Sequence, residues 1–440
     1  MASELRIVKE TFTRLESDPA GAMSYFYGRL FAAEPRLRAL FPPAMNVQRD
    51  RLFSALTRLV WSQDNPGELT RHLGRLGRGH RKHGVLREHY PAVEAALIAT
   101  LRSFAADVWT AEAEDAWTSA FRSAAAAMIE AAERDAADAP PWWVAEVAGH
   151  DRRAGDLAVL TLRPERPLPF LPGQRVSVQT PRWPRVWRSY WIANAPRPDG
   201  MLRLHVRARP AGWVSGALVR HTAPGDTVLL GPAAGAMTLD RDSGRGLLLI
   251  GGGTGLAPMK ALAEQAVSSG PGRSVHLLVG ARDEQELYDL DDLRLLESAY
   301  PRLRMIPVLS RPPGTDGAPG TDVLHGRLPD ALPGLLDRLP HWEDLDAYVA
   351  GPVPFVRGTV TALQRHGMAL SRVHHDLLDA EDDEHPRALT AGAALTAGAA
   401  PAAGAAPAAG AAVTSPRAPA GSWSSARPPG RTTRSPAPRP

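Results

Sequence analysis

The chain has 440 residues, 44% of them hydrophobic, and no cysteine. That length suits two to four domains with sizeable cores, and the lack of thiols excludes disulfides, thiolate-held metals and iron–sulfur clusters. The net charge of +4 sits in the terminal stretch, where six arginines and no acidic residue follow Glu384; residues 1–386 carry about −2, which argues against a folded nucleic-acid-binding face.

No uncharged apolar run approaches the roughly 20 residues of a membrane helix. The opening MASELRIVKETF has neither the apolar core nor the cleavage site of a secretory leader. A cytoplasmic protein is expected, a monomer or weak dimer that acts on small molecules, with no nucleic acid and no membrane span.

Residues 1–136 read as helices. Apolar positions recur at helical spacing in Leu5, Val8, Phe12 and Leu15, and again in Val93, Leu97, Leu101 and Phe104. Pro35, Pro42, Pro43, Pro66 and Pro91 mark helix ends or first turns. In LTRHLGRLGRGHRKHGVLREHYP, Leu69, Leu73 and Leu76 form one apolar stripe, and both His80 and His83 continue it. A buried histidine followed by a tyrosine suits a haem ligand, because neutral imidazole binds iron and its second nitrogen needs a hydrogen-bond partner. Periodicity does not choose between the two histidines, and a lone buried histidine is more often plain core.

After Pro140-Pro141 the texture changes to short runs bounded by Gly and Pro: LAVLTLRP, QRVSVQT, RLHVRAR and DTVLLGP. These are strand signals of a small antiparallel barrel. From Gly246, LLLIGGGTG, APMKALAEQAV and SVHLLVGAR alternate as strand, helix and strand, which predicts a parallel α/β sheet. The expected organisation is an all-α domain over 1–138, an antiparallel β-barrel over 139–240, an α/β parallel-sheet domain over 241–384, and an Ala/Gly/Pro/Arg-rich tail over 385–440 too poor in large apolar residues to fold.

Three motifs carry chemistry. An apolar strand ends in Gly251, Gly252, Gly253, Thr254 and Gly255, with Pro258 in the next helix. Such glycines let backbone approach a pyrophosphate at a helix N-terminus. Arg188, Ser189, Tyr190 and Trp191 form a strand with a cation and aromatic rings. Gly212, Trp213, Val214 and Ser215 open a further helix, where small residues admit phosphate.

In this order the segments resemble the flavohaemoglobin family, in which a bacterial globin is fused to a reductase module of the ferredoxin-NADP reductase type. The globin likeness rests on SYFYGRLFAAEPRLRALFP and on His80 ten residues before Tyr90 in His89-Tyr90-Pro91. It implies haem b held through iron by His80, with His83 at a variable position. It further implies Tyr27 as hydrogen-bond donor to O2, Gln48 as a second distal group, Phe41 against the porphyrin and Leu52 one turn beyond Gln48. Tyr90 and an acid, Glu133 or alternatively Glu130, would bond to the ligand histidine.

The reductase likeness implies FAD and NADH as cofactors. Arg188 would pair with the flavin pyrophosphate, Tyr190 pack on the isoalloxazine between Ser189 and Trp191, and Gly212, Trp213, Val214 and Ser215 approach the phosphates. Gly252, Gly253, Thr254, Gly255 and Pro258 would hold the nucleotide, with Gly351 and Pro352 at the nicotinamide. The chain departs from the family at several points. The loop between Phe41 and Gln48 is short, Trp191 replaces a hydroxyl beside flavin N5, Ala350 replaces the cysteine of Cys-Gly-Pro, and Leu377 and Leu378 stand where many members have an aromatic over the flavin. The Trp191 indole either supplies that aromatic face or is a tolerated replacement at a slower site.

In LVGARDEQELYDLDDL, Arg282 is the single basic residue and Asp283 and Glu284 follow it, so repulsion of a 2′-phosphate makes NADH expected over NADPH. The implied activity is nitric oxide dioxygenase, with NADH supplying electrons through FAD to haem and NO and O2 converted to nitrate. The rivals are an NADH-dependent flavin, ferric-iron or quinone reductase with a regulatory globin, and a haem-based O2 or NO sensor.

Overall fold

The computed structural model describes residues 2–62, 65–240, 243–268, 272–311 and 324–376. The 385–440 stretch, Leu377 and Leu378 lie outside these residues.

The first part of the chain is helical: α1 (Ala2–Leu15), α2 (Pro19–Ala33), α3 (Asn46–Trp61), α4 (Pro66–Arg81), α5 (Tyr90–Phe104) and α6 (Ala111–Asp138), with a tight turn of helix at Pro35–Leu40. Caps set the helix starts. Asp18 accepts from the Gly21 N–H at 2.9 Å, Asn65 from Glu68 at 3.3 Å and Thr110 from Ala113 at 3.2 Å. Pro19 and Pro66 fill the first turns, where a missing N–H costs nothing. The core gathers Phe12, Leu15, Met23, Leu30, Leu97, Leu101 and Trp117. The Trp117 Nε1–H donates to Thr11 at 2.6 Å, so the largest buried ring brings no unpaired group.

Next comes an antiparallel sheet of β1 (Trp143–Ala154), β2 (Leu157–Pro164), β3 (Arg175–Gln179), β4 (Arg188–Trp191), β5 (Leu202–Arg207) and β6 (Thr227–Leu230), with helix α7 (Trp213–Arg220) after β5. The strand order is β4-β3-β6-β1-β2-β5. A bridge between Ile192 and Leu204 joins the two outer strands, and the Ala193 N–H donates to the Arg203 carbonyl at 2.8 Å. The sheet therefore closes into a barrel immediately after β4, leaving no open edge there.

The last described part holds β7 (Gly246–Gly252), α8 (Leu256–Ser268), β8 (Val275–Ala281), α9 (Leu290–Ala299), β9 (Leu303–Leu309), β10 (Leu324–His325), α10 (Leu328–Leu336), β11 (Leu345–Ala350), α11 (Val353–Arg365) and β12 (Val373–His375). All pairings are parallel, in the order β10-β9-β8-β7-β11-β12. The winding reverses at β7, and the crevice at the carboxyl ends of β7 and β11 is where such sheets bind ligands. Among the described residues no helix is long and apolar enough to cross a membrane.

One contact positions the end of α4. A Cβ on Gly77 would lie 2.1 Å from the Met128 carbonyl oxygen of α6. Gly77→Ala is expected to push the two helices apart and cost about 1–3 kcal/mol, as overpacking does. Urea unfolding followed by circular dichroism tests this; an unchanged midpoint would mean the helices part freely.

Candidate functional site

His80 lies in the last turn of α4. Its Nδ1 is enclosed and has no hydrogen-bond partner. Burial, with help from the Lys82 charge, holds the ring down to about 4, so the imidazole is neutral. A neutral ring with an unsatisfied enclosed nitrogen fits a haem ligand. Burial brings His83 down to about 3, but this ring stands edge-on to Trp187 of the barrel, 6.4 Å between centroids. The two histidines that periodicity left equivalent thus have different neighbours.

Tyr27, Phe41, Gln48 and Leu52 come together from α2, the loop and α3. The buried Tyr27 hydroxyl donates to the main-chain carbonyl of Gln48 at 3.3 Å. Burial raises its pKa far above the ordinary phenol value, so it stays a neutral donor. Phe41 stands edge-on to Tyr27 at 5.5 Å and to Phe31 at 5.3 Å. Leu52 packs against the same cluster.

Tyr90 opens α5 and packs with Leu69, Leu73 and Leu76 of α4, and burial raises its pKa. The acids expected beside it are held elsewhere. The Glu133 carboxylate accepts from Arg87 at 2.7 and 3.2 Å. Glu130 lies 3.6 Å from Arg134. Tyr90 and Glu133 line one cavity of about 440 Å³ with Arg87 and Glu94, but no hydrogen bond joins them.

On the barrel, Arg188 opens β4 and donates to the Trp187 carbonyl at 2.7 Å. Ser189 and Tyr190 follow it, half-buried, and Tyr190 sits opposite Val176 against the barrel core. Gly212 caps α7 without a side-chain bond, and a Cβ there would lie 2.4 Å from the Ser215 Oγ. That Oγ accepts from the Arg209 N–H at 3.2 Å. Val214 is buried in the barrel, while Trp213 stacks on Trp183 at 4.8 Å. The stack ties the start of α7 to the loop that leads into Arg188, which brings both phosphate-type motifs to one end of the barrel. Trp191 turns the other way, into a cluster shared with Leu256 and Leu262 of α8, and its Nε1 has no partner.

At the carboxyl end of the parallel sheet, Gly253 takes a φ of 56°, the left-handed region that favours glycine. A Cβ on Gly255 would stand 2.2 Å from the Ala350 carbonyl oxygen, and one on Gly251 would stand 2.9 Å from the Leu256 Cα. Ala350 pairs with Gly251, so Gly351 and Pro352 adjoin Gly252, Gly253, Thr254 and Gly255 at the crevice. Pro258 is buried in the first turn of α8, whose N–H groups open towards this loop. A bare backbone cradle at a helix N-terminus fits a pyrophosphate.

Arg282 follows β8. Glu286 holds it, accepting from its Nε at 2.7 Å and its main-chain N–H at 3.1 Å. Arg311, after β9, donates to Asp283 at 2.7 Å. The carboxylate on Arg282 is thus Glu286, one helical turn away, and Asp283 pairs with Arg311.

Three family models match successive segments: Globin over 24–128, Oxidoreductase FAD-binding domain over 146–238 and Oxidoreductase NAD-binding domain over 249–361. The chain is 29% identical over 401 residues to the Flavohemoprotein of Bordetella pertussis, covering 86% of this chain and 98% of that one. The chain thus carries a globin followed by FAD-binding and NAD-binding oxidoreductase domains, the arrangement of the flavohemoproteins to which it is similar. A Flavohemoprotein of Rhodopirellula baltica is 27% identical over 404 residues, with the same coverage of each chain. The flavohemoglobin of Malassezia yamatoensis, solved with bound FAD and heme, shares the fold at a TM-score of 0.69 and 18% identity, over 86% of this chain and 98% of that chain. The chain is an oxidoreductase with haem, FAD and NAD as cofactors.

The sequence reading missed the junction between globin and barrel. Lys82 donates to the Ser177 Oγ at 3.1 Å and lies 5.4 Å over the Trp187 ring, and Arg185 donates to the His83 carbonyl at 3.4 Å. No local pattern marks such pairs, since each joins segments about a hundred residues apart.

Gly255→Ala places its methyl against the Ala350 carbonyl and is expected to weaken NADH binding about tenfold or more, or ~1.4 kcal/mol, with flavin absorbance kept. Calorimetric titration with NADH measures this; unaltered affinity would remove Gly255 from the cradle.

Proposed function

We propose that this chain is a nitric oxide dioxygenase in which NADH supplies the electrons and NO and O2 become nitrate, with modules at 1–138, 139–240 and 241–384 and the cytoplasm as its place of work. The observation that carries the reading is the buried Tyr27 hydroxyl, a neutral donor held beside Gln48 on a globin joined to a reductase. When bound, FAD would supply the conversion of a two-electron donor to one-electron transfer, and haem would supply the site for O2 and NO.

In this reading His80 holds the iron and Tyr27, with Gln48, orients O2 by hydrogen bonding. Phe41 and Leu52 flank the porphyrin, and Tyr90, with Glu133, stands on the side of His80. Arg188 and the Gly212–Ser215 turn bind the flavin phosphates, Tyr190 packs on its ring, and Gly252 to Gly255 with Pro258 bind the pyrophosphate of NADH. Gly351 and Pro352 leave backbone room for the nicotinamide.

NO loss, followed with an electrode, is expected to require O2 and NADH together. His80→Ala should abolish the haem absorbance band, and Tyr27→Phe should slow NO loss by up to roughly tenfold through one lost hydrogen bond. NADH-driven flavin reduction without haem reduction would favour a plain reductase, and haem that binds gas but is not reduced by NADH would favour a sensor.

NADH is the expected coenzyme, because Glu286 occupies the guanidinium of Arg282 that a 2′-phosphate would need. The ratio of kcat/KM for NADH over NADPH should exceed one and fall about tenfold in Glu286→Gln, which frees Arg282. A wild-type preference for NADPH would overturn this assignment.

A further inference from the structure

A second set of ionisable groups lies between the barrel and the parallel sheet, with Lys260, Asp289 and His205 buried and Arg203 and Asp292 half-exposed. Lys260, in α8 two residues past Pro258, is 3% exposed, and its ammonium donates to Asp289 and Asp292 at 2.7 Å each. Asp289 is 1% exposed and opens α9. Asp292 also accepts from Arg203 of β5 at 3.3 Å. Two residues along β5, His205 is buried with its Nδ1 2.9 Å from the Tyr288 hydroxyl and its Nε2 3.9 Å from the Asp289 carboxylate. Arg153 of β1 donates to the Tyr288 carbonyl at 3.3 Å. Arg153, Arg203 and His205 belong to the barrel, Lys260 to α8, and Tyr288, Asp289 and Asp292 to the segment that opens α9.

Such a cluster is a poor way to gain stability. Each buried ion loses its water, and apolar packing of the same volume would hold the parts as well or better. What the ions add is a single geometry. The apolar contacts of the seam, such as Trp191 against the α8 cluster, tolerate sliding by fractions of an ångström. An ammonium shared by two carboxylates, one of which is also bound to the opposite strand, does not.

We propose that Lys260 is a positioning residue for hydride transfer. Through Asp289, Asp292 and Arg203 it locks the dinucleotide-binding helix α8 to strand β5 of the flavin barrel, and so fixes how the nucleotide bound at the start of α8 meets the flavin. The proposal rests on the FAD- and NAD-binding modules and is independent of what the haem does with NO.

The test uses the full chain loaded with FAD and haem. Lys260→Met/Asp289→Asn removes the lock without leaving an unpaired buried charge, since Asp292 keeps Arg203. At saturating NADH, the rate of flavin bleaching in anaerobic stopped flow should fall about tenfold to a hundredfold, the effect of displacing reacting groups by about 1 Å. The Kd for NADH should stay within about threefold, because the glycine cradle is untouched. Differential scanning calorimetry is expected to show one transition for the barrel and nucleotide regions of the wild type and two for the variant. An unchanged bleaching rate would overturn the proposal, as would a rate and an affinity that fall by the same factor with a single transition kept, which is the mark of a damaged binding site.

Discussion

Helix α8 is apolar on nearly every side, and this constraint organises the reductase half. Leu256, Ala257, Met259, Ala261, Leu262, Ala263 and Ala266 are all buried. An amphipathic helix needs one cover, whereas a helix that is apolar all round needs two. The parallel sheet covers one side. Leu157, Val159, Trp191 and Ala193 of the barrel share the cluster on the other. The flavin barrel is therefore a required lid on the helix whose N-terminus faces the nucleotide. Burial that serves stability also brings the end of the Arg188–Trp191 strand to the glycine cradle. The ionic lock at Lys260 then selects one orientation among those that burial allows.

The globin meets the barrel through a different kind of contact. Lys82 follows His80 by two residues and reaches across to Ser177 and the face of Trp187. Its charge helps burial keep both His80 and His83 neutral. One cation thus helps keep both rings neutral and ties the end of α4 to the residue before Arg188. The connection carries strain. Arg185 takes a φ of 68°, a conformation that costs a non-glycine residue on the order of 1 kcal/mol. It is held there by a bond from its N–H to the Gln179 Oε1 at 2.7 Å and by its guanidinium on the His83 carbonyl.

Legibility in the sequence followed the range of the interactions. The helical spacing, the Gly251–Gly255 turn and the strand–helix alternation are local signals, and the three-layer succession read from them matches the fold. Strand β1 went unread because its second half, GHDRRA, is polar, and pairing with β2 rather than composition makes it a strand. Closure of the barrel through Ile192 and Leu204 depends on a partner that no local pattern names. In the site, the family resemblance and not local pattern named Tyr27 and Gln48, and the contact between them is from the Tyr27 hydroxyl to the Gln48 main-chain carbonyl. The acid beside Tyr90 was not settled by spacing: Glu133 and Glu130 both lie on the exposed face of α6, where Arg87 and Arg134 engage them. The pairing of Glu286 with Arg282 has no mark in the sequence, where Asp283 and Glu284 directly follow the arginine, because it depends on one turn of chain.

Trp191 shows how the same constraint reaches the chemistry. A hydroxyl at this position would be spent on the flavin; the indole is 6% exposed and belongs to the α8 cluster. Burying an indole removes about 150–250 Å² from water, worth roughly 4–6 kcal/mol at about 25 cal/mol per Å². Against this stands its Nε1, enclosed without a partner, at about 1–3 kcal/mol. The balance favours the seam by a few kcal/mol, more than the roughly 0.5–1.5 kcal/mol that one hydrogen bond to the flavin contributes. An indole already enclosed by α8 also has little surface left to lie over a flavin ring. Position 191 therefore joins the barrel to helix α8.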